Sequence, residues 1–327
     1  MDSLPTNVET EAFVVMKPGD DFKLTPVILD EVRDDELLIE MKYSGICHTD
    51  VVLQQGLLPM VDFPAIFGHE GAGYIKAIGR GVKDKSLQVG DAVLLSFNVC
   101  GELRLEDRST PARLKNSPFT TVRSQYFGHS SFARHSVVKE RSVVKCAYPD
   151  QMALYAAMGC GFQTGAGTVL NVLKPPQTAS IVIFGLGGHI VGVDLVDSKL
   201  KLARDLGATD LLKPSTDTDV VKEIKELCKA TSGATYSIDC TGVPKVIEQC
   251  IECLAPCGTA VTVGVPPPDA KISIDPLNFT QQSPPLLPGS QHCHTCITSA
   301  CFTGGDDVAD VYCHHDAVSR NFWFASG

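Results

Sequence analysis

The sequence predicts an α/β protein of two domains, in which a β-rich first domain precedes a second domain built on a parallel sheet. The chain has 327 residues, 44% of them hydrophobic, which is enough for two ordinary cores. Up to about residue 150, short β-favouring runs such as EAFVVMK and GAGYIKAIG are broken by Gly, Asp and Pro. Strand-like and helix-like segments then alternate, which is typical of a parallel sheet.

Three regions follow from this pattern. We predict a first domain at residues 1–160 and a second at residues 161–280. From residue 281 to residue 327 the sequence shows neither the period of a strand nor that of a helix. Its cysteines and histidines do not repeat at the spacings of a zinc finger. We therefore interpret residues 281–327 as an irregular tail.

The overall composition narrows the classes of partner. The formal net charge is −10, which argues against a nucleic-acid surface because binding phosphates needs a concentrated basic face. There is no signal-peptide pattern and no run of about 18 apolar residues, so we expect a cytoplasmic protein without membrane association. Small molecules are the expected partners. The 13 cysteines are too few for a disulfide scaffold, so we look for metal ligands among them.

Three separated segments offer the ligands of a zinc site. His69 and Glu70 lie among glycines in GHEGAGYIKAIGRGV, Cys47 lies in GICHTD, and Cys160 lies in GCGFQTG. Two cysteines and a histidine would make a three-ligand site with an open fourth position, as catalytic zinc requires. Taken singly, each cysteine is more often a small buried apolar residue, and a His-Glu pair is usually structural.

These motifs resemble those of one enzyme family. The pattern GHE-x2-G-x5-G-x2-V, which begins at Gly68, matches the zinc signature of the zinc-dependent medium-chain alcohol dehydrogenases. GICHTD and GCGFQTG look like the other two ligand motifs of that family, and HTD together with FGHSSFARHSVV is most similar to its aryl or benzyl alcohol branch. The resemblance implies a GroES-like catalytic domain, a Rossmann-type domain and a homo-oligomer, either a dimer or a tetramer.

By this resemblance, Cys47, His69 and Cys160 would bind a catalytic zinc, and Glu70 would be an alternate ligand. Asp50 would lie next to the ligands without binding the zinc itself. Thr49 would take the proton of the alcohol, which a small hydroxyl can do without competing for zinc.

Two positions depart from the family pattern. Val52 stands where members often have a histidine that passes the proton to solvent; His48 would substitute for it, face cofactor phosphates, or be an ordinary loop histidine. After Cys100, the positions expected to hold the other three cysteines of a structural zinc site hold Leu103, Glu106 and Leu114. We therefore predict one catalytic zinc and no structural zinc.

The cofactor motif is incomplete. Gly185 and Gly187 fit the first two positions of G-x-G-x-x-G, but a second strand, ending at Asp194, begins where the helix should start. Parallel strands normally need a crossover of about a dozen residues, so residues 181–196 are expected to close as a hairpin or to rearrange their pairing. Compared with members of that family, the chain lacks the first Rossmann helix, whose N-terminus would face the pyrophosphate of the cofactor.

The other cofactor positions match the family. The resemblance implies a nucleotide site made of Gly185, Gly187, Gly188, Asp194, Lys199, Thr164, Thr241, Val263 and Val265. Asp194 would bind the ribose and favours NAD over NADP, because its carboxylate would repel a 2′-phosphate.

Three functions are considered. The first is a zinc- and NAD-dependent dehydrogenase that interconverts a primary, aromatic alcohol and its aldehyde in secondary metabolism. The second is a catalytically impaired relative that keeps zinc but cannot bind NAD productively, and the missing helix supports it. The third, a zinc-free reductase of alkenes or quinones, is disfavoured by the complete set of Cys47, His69 and Cys160.

Overall fold

The computed structural model describes residues 4–58, 61–97, 112–184, 191–275, 296–302 and 311–313. These residues divide into two compact units, one ending at Gln163 and the other beginning at Thr164. None of the helices in this part of the chain has the length and apolar character that a membrane crossing requires.

The first unit is rich in antiparallel strands. Its described part contains β1 (Val8–Val15), β2 (Lys23–Leu29), β3 (Glu36–Ser44), β4 (Ala65–Ile66), β5 (Gly71–Ile78), β6 (Ala92–Leu95), β7 (Ala112–Leu114), β8 (Ser117–Val122), β9 (His135–Lys139) and β10 (Val143–Lys145). They form two sheets, ordered β4-β1-β2-β7-β8 and β10-β6-β5-β3-β9. All the pairings within both sheets are antiparallel.

Strand β3 shows how the cores of this unit are built. Leu38 packs in a cluster with Val14 and Val27 of the other sheet, whereas Leu37 and Ile39 pack in a second cluster. Successive side chains of a strand point to opposite faces, so both faces of β3 are buried. This is why the run ELLIE is continuously apolar at its centre instead of alternating.

The helices between β3 and Ile181 are short, and the last of them extends from the first unit into the second. They are α1 (His48–Gln54), α2 (Met152–Tyr155) and α3 (Gly161–Gly167), which continues as a π-helical segment over Thr168–Leu173. Single 3₁₀ turns lie at Tyr126–Gly128, Glu140–Ser142, Pro149–Gln151 and Ala156–Gly159.

The second unit is built on one sheet of seven described strands. These are β11 (Ile181–Phe184), β12 (Val191–Val193), β13 (Asp210–Leu212), β14 (Ala234–Asp239), β15 (Leu254–Thr262), β16 (Cys296–Phe302) and β17 (Val311–Cys313), ordered β13-β12-β11-β14-β15-β16-β17. Neighbouring strands are parallel except β16 and β17. The predicted combination of a β-rich domain and a parallel-sheet domain is therefore confirmed.

Helices connect the parallel strands. These are α4 (Asp197–Asp205), α5 (Val220–Leu227) and α6 (Pro244–Glu252), with a 3₁₀ turn at Lys229–Thr231. Asp219 caps α5 by accepting a hydrogen bond from the Lys222 amide at 3.0 Å. Val220 and Ile224, which are four residues apart on α5, bury the same face of that helix in the core of the sheet.

Two expectations about this unit are wrong. β11 and β12 do not form a hairpin, because Val182 pairs with Val191 in parallel. Phe184 and Val191 are seven residue steps apart, and seven extended steps reach roughly 24 Å, more than the roughly 10 Å length of a three-residue strand. The predicted tail is also not wholly irregular: residues 296–302 pair with β15 through backbone bonds, which need no side-chain period.

A buried carboxylate stabilises the start of β3. Glu36 is 0% exposed, and its Oε2 accepts a hydrogen bond from the Arg33 amide at 3.0 Å. Its Oε1 lies 3.0 Å from Gln125 Nε2 and 3.2 Å from Lys139 Nζ. Burial by itself would lower the pKa of Lys139, but the carboxylates of Glu36 and Asp35 raise it. The Glu36 carboxylate therefore ties three segments of the first unit together.

We expect Glu36→Gln to lower the free energy of unfolding by about 1–3 kcal/mol, because an amide leaves one of these buried donors without an acceptor. The measurement is urea denaturation followed by circular dichroism. Asp35→Asn is the matched control: Asp35 is exposed, and its loss should cost less than about 1 kcal/mol. Equal effects of the two substitutions would contradict the structural role of Glu36.

Candidate metal centre

Four side chains with metal-binding atoms converge within the first unit. Cys47 immediately precedes α1, His69 and Glu70 precede β5, and Cys160 lies between a 3₁₀ turn and α3. The ligand atoms of these four residues all lie within 4.8 Å of one another. Zinc bonds of about 2.0–2.3 Å in a tetrahedral site place ligand atoms roughly 3.3–3.8 Å apart, so the cluster is compact enough for one ion.

The imidazole of His69 supports a metal at this place. Its ring is buried, with 1% exposed, and Nδ1 lies 3.0 Å from Asp50 Oδ1. Nε2 is buried and has no hydrogen-bond partner among the described residues. A histidine that donates its Nδ1–H to a carboxylate presents the Nε2 lone pair, which is the usual arrangement of a zinc ligand. Two thiols and an imidazole also match the ligand chemistry of zinc, so the residues fit the ion.

Asp50 connects two of the ligand segments. This residue is 0% exposed. Besides His69 Nδ1, its Oδ1 accepts a hydrogen bond from the Gly68 amide at 3.1 Å, and its Oδ2 accepts one from the Cys47 amide at 3.1 Å. Asp50 therefore fixes the ring of His69 and the start of α1 together.

Glycines bring the remaining ligands close. A Cβ on Gly45 would lie 2.0 Å from Glu70 Oε2, so only glycine leaves room for this carboxylate. The Gly45 amide also donates to the Glu70 carbonyl at 2.8 Å. Beside Cys160, a Cβ on Gly159 would lie 2.0 Å from the Leu95 carbonyl oxygen. Both glycines allow a close approach that positions a ligand.

The electrostatics of the cluster favour a thiolate. A hydrogen bond from the Cys160 thiol, together with His69, lowers the pKa of Cys47 to about 3, although burial opposes this. The same bond and burial raise the pKa of Cys160. Burial by itself would lower the pKa of His69, but the hydrogen bond to Asp50 and the nearby negative charges of Asp50 and Cys47 raise it to about 9. Burial, followed by the Cys47 charge, raises the pKa of Glu70. Binding a metal through both sulfurs and His69 therefore releases protons.

Aromatic rings that the sequence analysis did not single out surround His69. The centroids of Phe97, Tyr126 and Phe127 lie 5.6, 5.6 and 5.4 Å from that of His69. Phe97 and Phe127 are partly exposed, and their centroids are 4.3 Å apart. Phe127 has φ 51°, a left-handed conformation that is uncommon for a bulky residue. FGH at residues 127–129 was the only sequence signal near this feature.

The proposed proton-transfer residues lie at the start of α1. Thr49 is half-buried, with Oγ1 3.5 Å from Cys47 Sγ. His48 is exposed, and Val52, on the next turn, is half-buried. The structure therefore brings Thr49 to the metal cluster and leaves His48 at the surface of this unit. Cys100, Leu103 and Glu106 lie outside the described residues, so the absence of structural zinc stays a prediction.

Several predicted cofactor residues lie at the carboxyl ends of the strands in the second unit. Asp194 follows β12; its Oδ1 accepts a hydrogen bond from the Val196 amide at 2.8 Å, and Oδ2 lies 3.7 Å from Lys199 Nζ. Thr241 follows β14, and Val263 and Val265 follow β15. This edge of a parallel sheet is where nucleotides bind.

Four further residues are predicted to line the cofactor site, and only one of them lies among the described residues. Gly185, Gly187 and Gly188 lie outside the described residues. Thr164 is half-buried and begins the second unit, where its carbonyl accepts a hydrogen bond from Thr168 Oγ1 at 2.8 Å.

Comparisons with known proteins agree with this architecture. Residues 33–150 match the profile of the alcohol dehydrogenase GroES-like domain, and residues 178–284 match that of the zinc-binding dehydrogenases. Geraniol dehydrogenase from Castellaniella defragrans is 34% identical, over 86% of this chain and 83% of that protein. S-(hydroxymethyl)glutathione dehydrogenase from Paracoccus denitrificans is 32% identical, over 83% and 82%.

The fold of this chain is also similar to that of a solved crystal structure. The crystal structure of benzyl alcohol dehydrogenase from Acinetobacter calcoaceticus superposes with a TM-score of 0.73 and 29% identity, over 89% of this chain and 84% of that one. The predicted family, the predicted fold and the predicted enzyme class, an oxidoreductase acting on CH–OH groups, are thereby confirmed. The chain belongs to the zinc-dependent medium-chain alcohol dehydrogenase family.

Proposed function

We propose that this chain is a zinc- and NAD-dependent dehydrogenase that interconverts a primary aromatic alcohol and its aldehyde. The observation that carries the proposal is the convergence of Cys47, His69, Glu70 and Cys160 within 4.8 Å. An NAD-dependent reaction of this kind converts alcohol and NAD⁺ to aldehyde, NADH and a proton. The substrate is a small molecule, and a dimeric or tetrameric state and a cytoplasmic location stay predictions.

Residues of the first unit have separate tasks in this reaction. Cys47, His69 and Cys160 would hold the metal, with Glu70 as an alternate ligand. When bound, zinc supplies Lewis-acid polarisation of the substrate oxygen and NAD supplies the hydride acceptor. Thr49, beside Cys47, would accept the proton of the alcohol and give up its own hydroxyl proton toward solvent.

The preference for NAD rests on Asp194. Its carboxylate is 10% exposed and is held by the Val196 amide at the end of β12. A carboxylate at this position accepts hydrogen bonds from ribose hydroxyls and repels the 2′-phosphate of NADP.

The aromatic preference rests on the rings beside His69. Phe97 and Phe127 offer partly exposed apolar faces next to a metal ligand. Aromatic rings gain about 0.5–1.5 kcal/mol from such ring contacts beyond the area they bury. The similarity to a benzyl alcohol dehydrogenase points to the same substrate class.

Phe127→Ala is expected to lower the ratio of kcat/KM for benzyl alcohol to kcat/KM for ethanol by about 2- to 12-fold, because one ring contact is lost. Phe119→Ala is the control, since Phe119 is fully exposed on β8. A ratio that stays the same in the Phe127 variant would contradict the aromatic assignment.

A second candidate is an impaired relative that keeps zinc but does not bind NAD productively. The observation that favours it is the link of six residues between β11 and β12, which leaves no length for a helix of ordinary size. Under this alternative the metal centre is intact, and only the cofactor site is lost.

Titration of the zinc-loaded protein with NADH, followed by nicotinamide fluorescence, separates the two candidates. The proposal predicts saturable binding, and it predicts oxidation of benzyl alcohol with NAD as acceptor. Absence of binding at high micromolar NADH would favour the impaired relative. Metal analysis of the same sample should give one zinc per chain, and two would contradict the prediction that structural zinc is absent.

A further inference from the structure

Asp239, at the end of β14, is a buried carboxylate whose two oxygens are both saturated by hydrogen bonds. It is 0% exposed. Oδ1 accepts from the Thr241 amide at 2.9 Å and from Thr241 Oγ1 at 2.6 Å. Oδ2 accepts from the Gly242 amide at 3.2 Å and from Thr262 Oγ1 at 2.9 Å. Donors from the ends of two neighbouring strands therefore meet on one side chain.

The two segments that Asp239 joins also touch through their backbones. We call residues 240–243 and 263–266 the paired loops. The Asp239 carbonyl accepts from the Val263 amide at 2.8 Å. Gly242 has φ 69°, and a Cβ there would lie 2.5 Å from the Val265 carbonyl oxygen. A Cβ on Gly264 would lie 2.1 Å from the Gly242 nitrogen. The paired loops have no room to move closer, and Asp239 keeps them from separating.

Each of the paired loops presents a predicted cofactor residue to solvent. Thr241 and Val265 are exposed, whereas Asp239 is buried beneath them. None of the ion pairs among the described residues involves Asp239, so all four of its hydrogen-bond donors are neutral groups. A buried carboxylate held only in this way costs desolvation free energy. A well-packed apolar residue would carry no such cost, which suggests a task beyond packing.

We infer that Asp239 is a positioning residue of the cofactor site, which sets the spacing between Thr241 on one of the paired loops and Val263 and Val265 on the other. This inference rests on the proposed NAD site and adds to it a residue that the sequence motifs do not identify. Asp239 acts through the loops and does not itself touch the cofactor.

Asp239→Asn tests the inference with little change of shape. An asparagine has a single acceptor oxygen, so either orientation of its amide places the NH₂ group against a backbone N–H, that of Thr241 or that of Gly242. Threonine hydroxyls can reorient to accept a hydrogen bond, but backbone N–H groups cannot. We expect the Kd for NADH to rise about tenfold, which corresponds to about 1.4 kcal/mol.

Ser237→Ala is the matched control. Ser237 lies on the same strand, is 0% exposed and donates a buried hydrogen bond to the Cys250 carbonyl at 2.6 Å, but it does not contact the paired loops through a described hydrogen bond. This variant should lower the urea midpoint and leave the Kd for NADH within about twofold of wild type. Zinc content should stay at one per chain in both variants.

The experiment is fluorescence titration of wild type, Asp239→Asn and Ser237→Ala with NADH, at a temperature where circular dichroism shows all three folded. A selective rise of Kd in Asp239→Asn supports the inference. Equal Kd values in the two variants would overturn it while leaving the NAD-dependent function intact. If wild type does not bind NADH, the proposed function fails and the positioning role fails with it.

A second variant covers the case in which Asp239→Asn does not fold. Gly264→Ala forces the paired loops apart through the added Cβ and leaves Asp239 unchanged. It should raise the Kd for NADH by a similar factor, and a Kd equal to that of wild type would overturn the inference.

Discussion

Cys47→Ala is expected to abolish zinc binding and alcohol oxidation by this chain. The Cys47 thiol lies in the cluster whose ligand atoms are within 4.8 Å of one another, and its removal leaves one thiolate and one imidazole, with only the alternate ligand Glu70 to complete the site. Lewis-acid polarisation is worth several kcal/mol of transition-state stabilisation, so kcat/KM should fall about a thousandfold or more. Inductively coupled plasma mass spectrometry and an NADH absorbance assay measure the two effects.

Cys146→Ala is the control for this prediction. Cys146 is a buried thiol of the same unit that packs in an apolar cluster and is not part of the ligand set. It should keep one zinc per chain and most of the activity. A Cys47→Ala protein with full zinc content would show that the metal is bound elsewhere.

Asp50→Asn has the second largest expected effect. Asp50 Oδ1 accepts from the Gly68 amide and from His69, and Oδ2 accepts from the Cys47 amide. If the asparagine oxygen faces Gly68, the Cys47 amide loses its acceptor. If it faces Cys47, the NH₂ group favours a proton on His69 Nε2, and that tautomer cannot bind zinc. Zinc affinity should therefore fall about 10- to 100-fold.

Competition with a chromophoric chelator measures this loss of affinity. Asp62→Asn serves as the control, since Asp62 is an exposed carboxylate that pairs only with Arg123 among the described ion pairs. If the Asp50 and Asp62 variants bind zinc with equal affinity, the role assigned to Asp50 is wrong.

The metal cluster could be predicted from sequence, whereas its surroundings could not. GHE, GICHTD and GCGFQTG are local motifs, and each carries its ligand whatever the rest of the chain does. The ring of Phe127 lies beside His69, and its backbone is left-handed, a conformation that glycine adopts more readily than phenylalanine, so no sequence pattern predicts it. Asp239 was also missed, because one of its four donors, Thr262, is distant from it in the sequence.

The topology of the second unit shows a different limit. The short link between β11 and β12 predicts a hairpin or a rearranged pairing, since parallel neighbours usually need a long crossover. That rule assumes strands of ordinary length. Because β12 has only three residues, a short connection is long enough to reach from the end of β11 to the start of β12. The strand at Cys296–Phe302 was missed because its position is set by pairing with β15, which no local pattern reports.

X-ray absorption at the zinc edge, recorded on the purified wild-type protein, tests most directly whether Cys47, His69 and Cys160 share one ion. The structure predicts two sulfur neighbours at about 2.3 Å with the remaining nitrogen and oxygen neighbours at about 2.0–2.2 Å. Fewer or more than two sulfur neighbours, or a protein that binds no zinc, would contradict the metal centre and with it the dehydrogenase function.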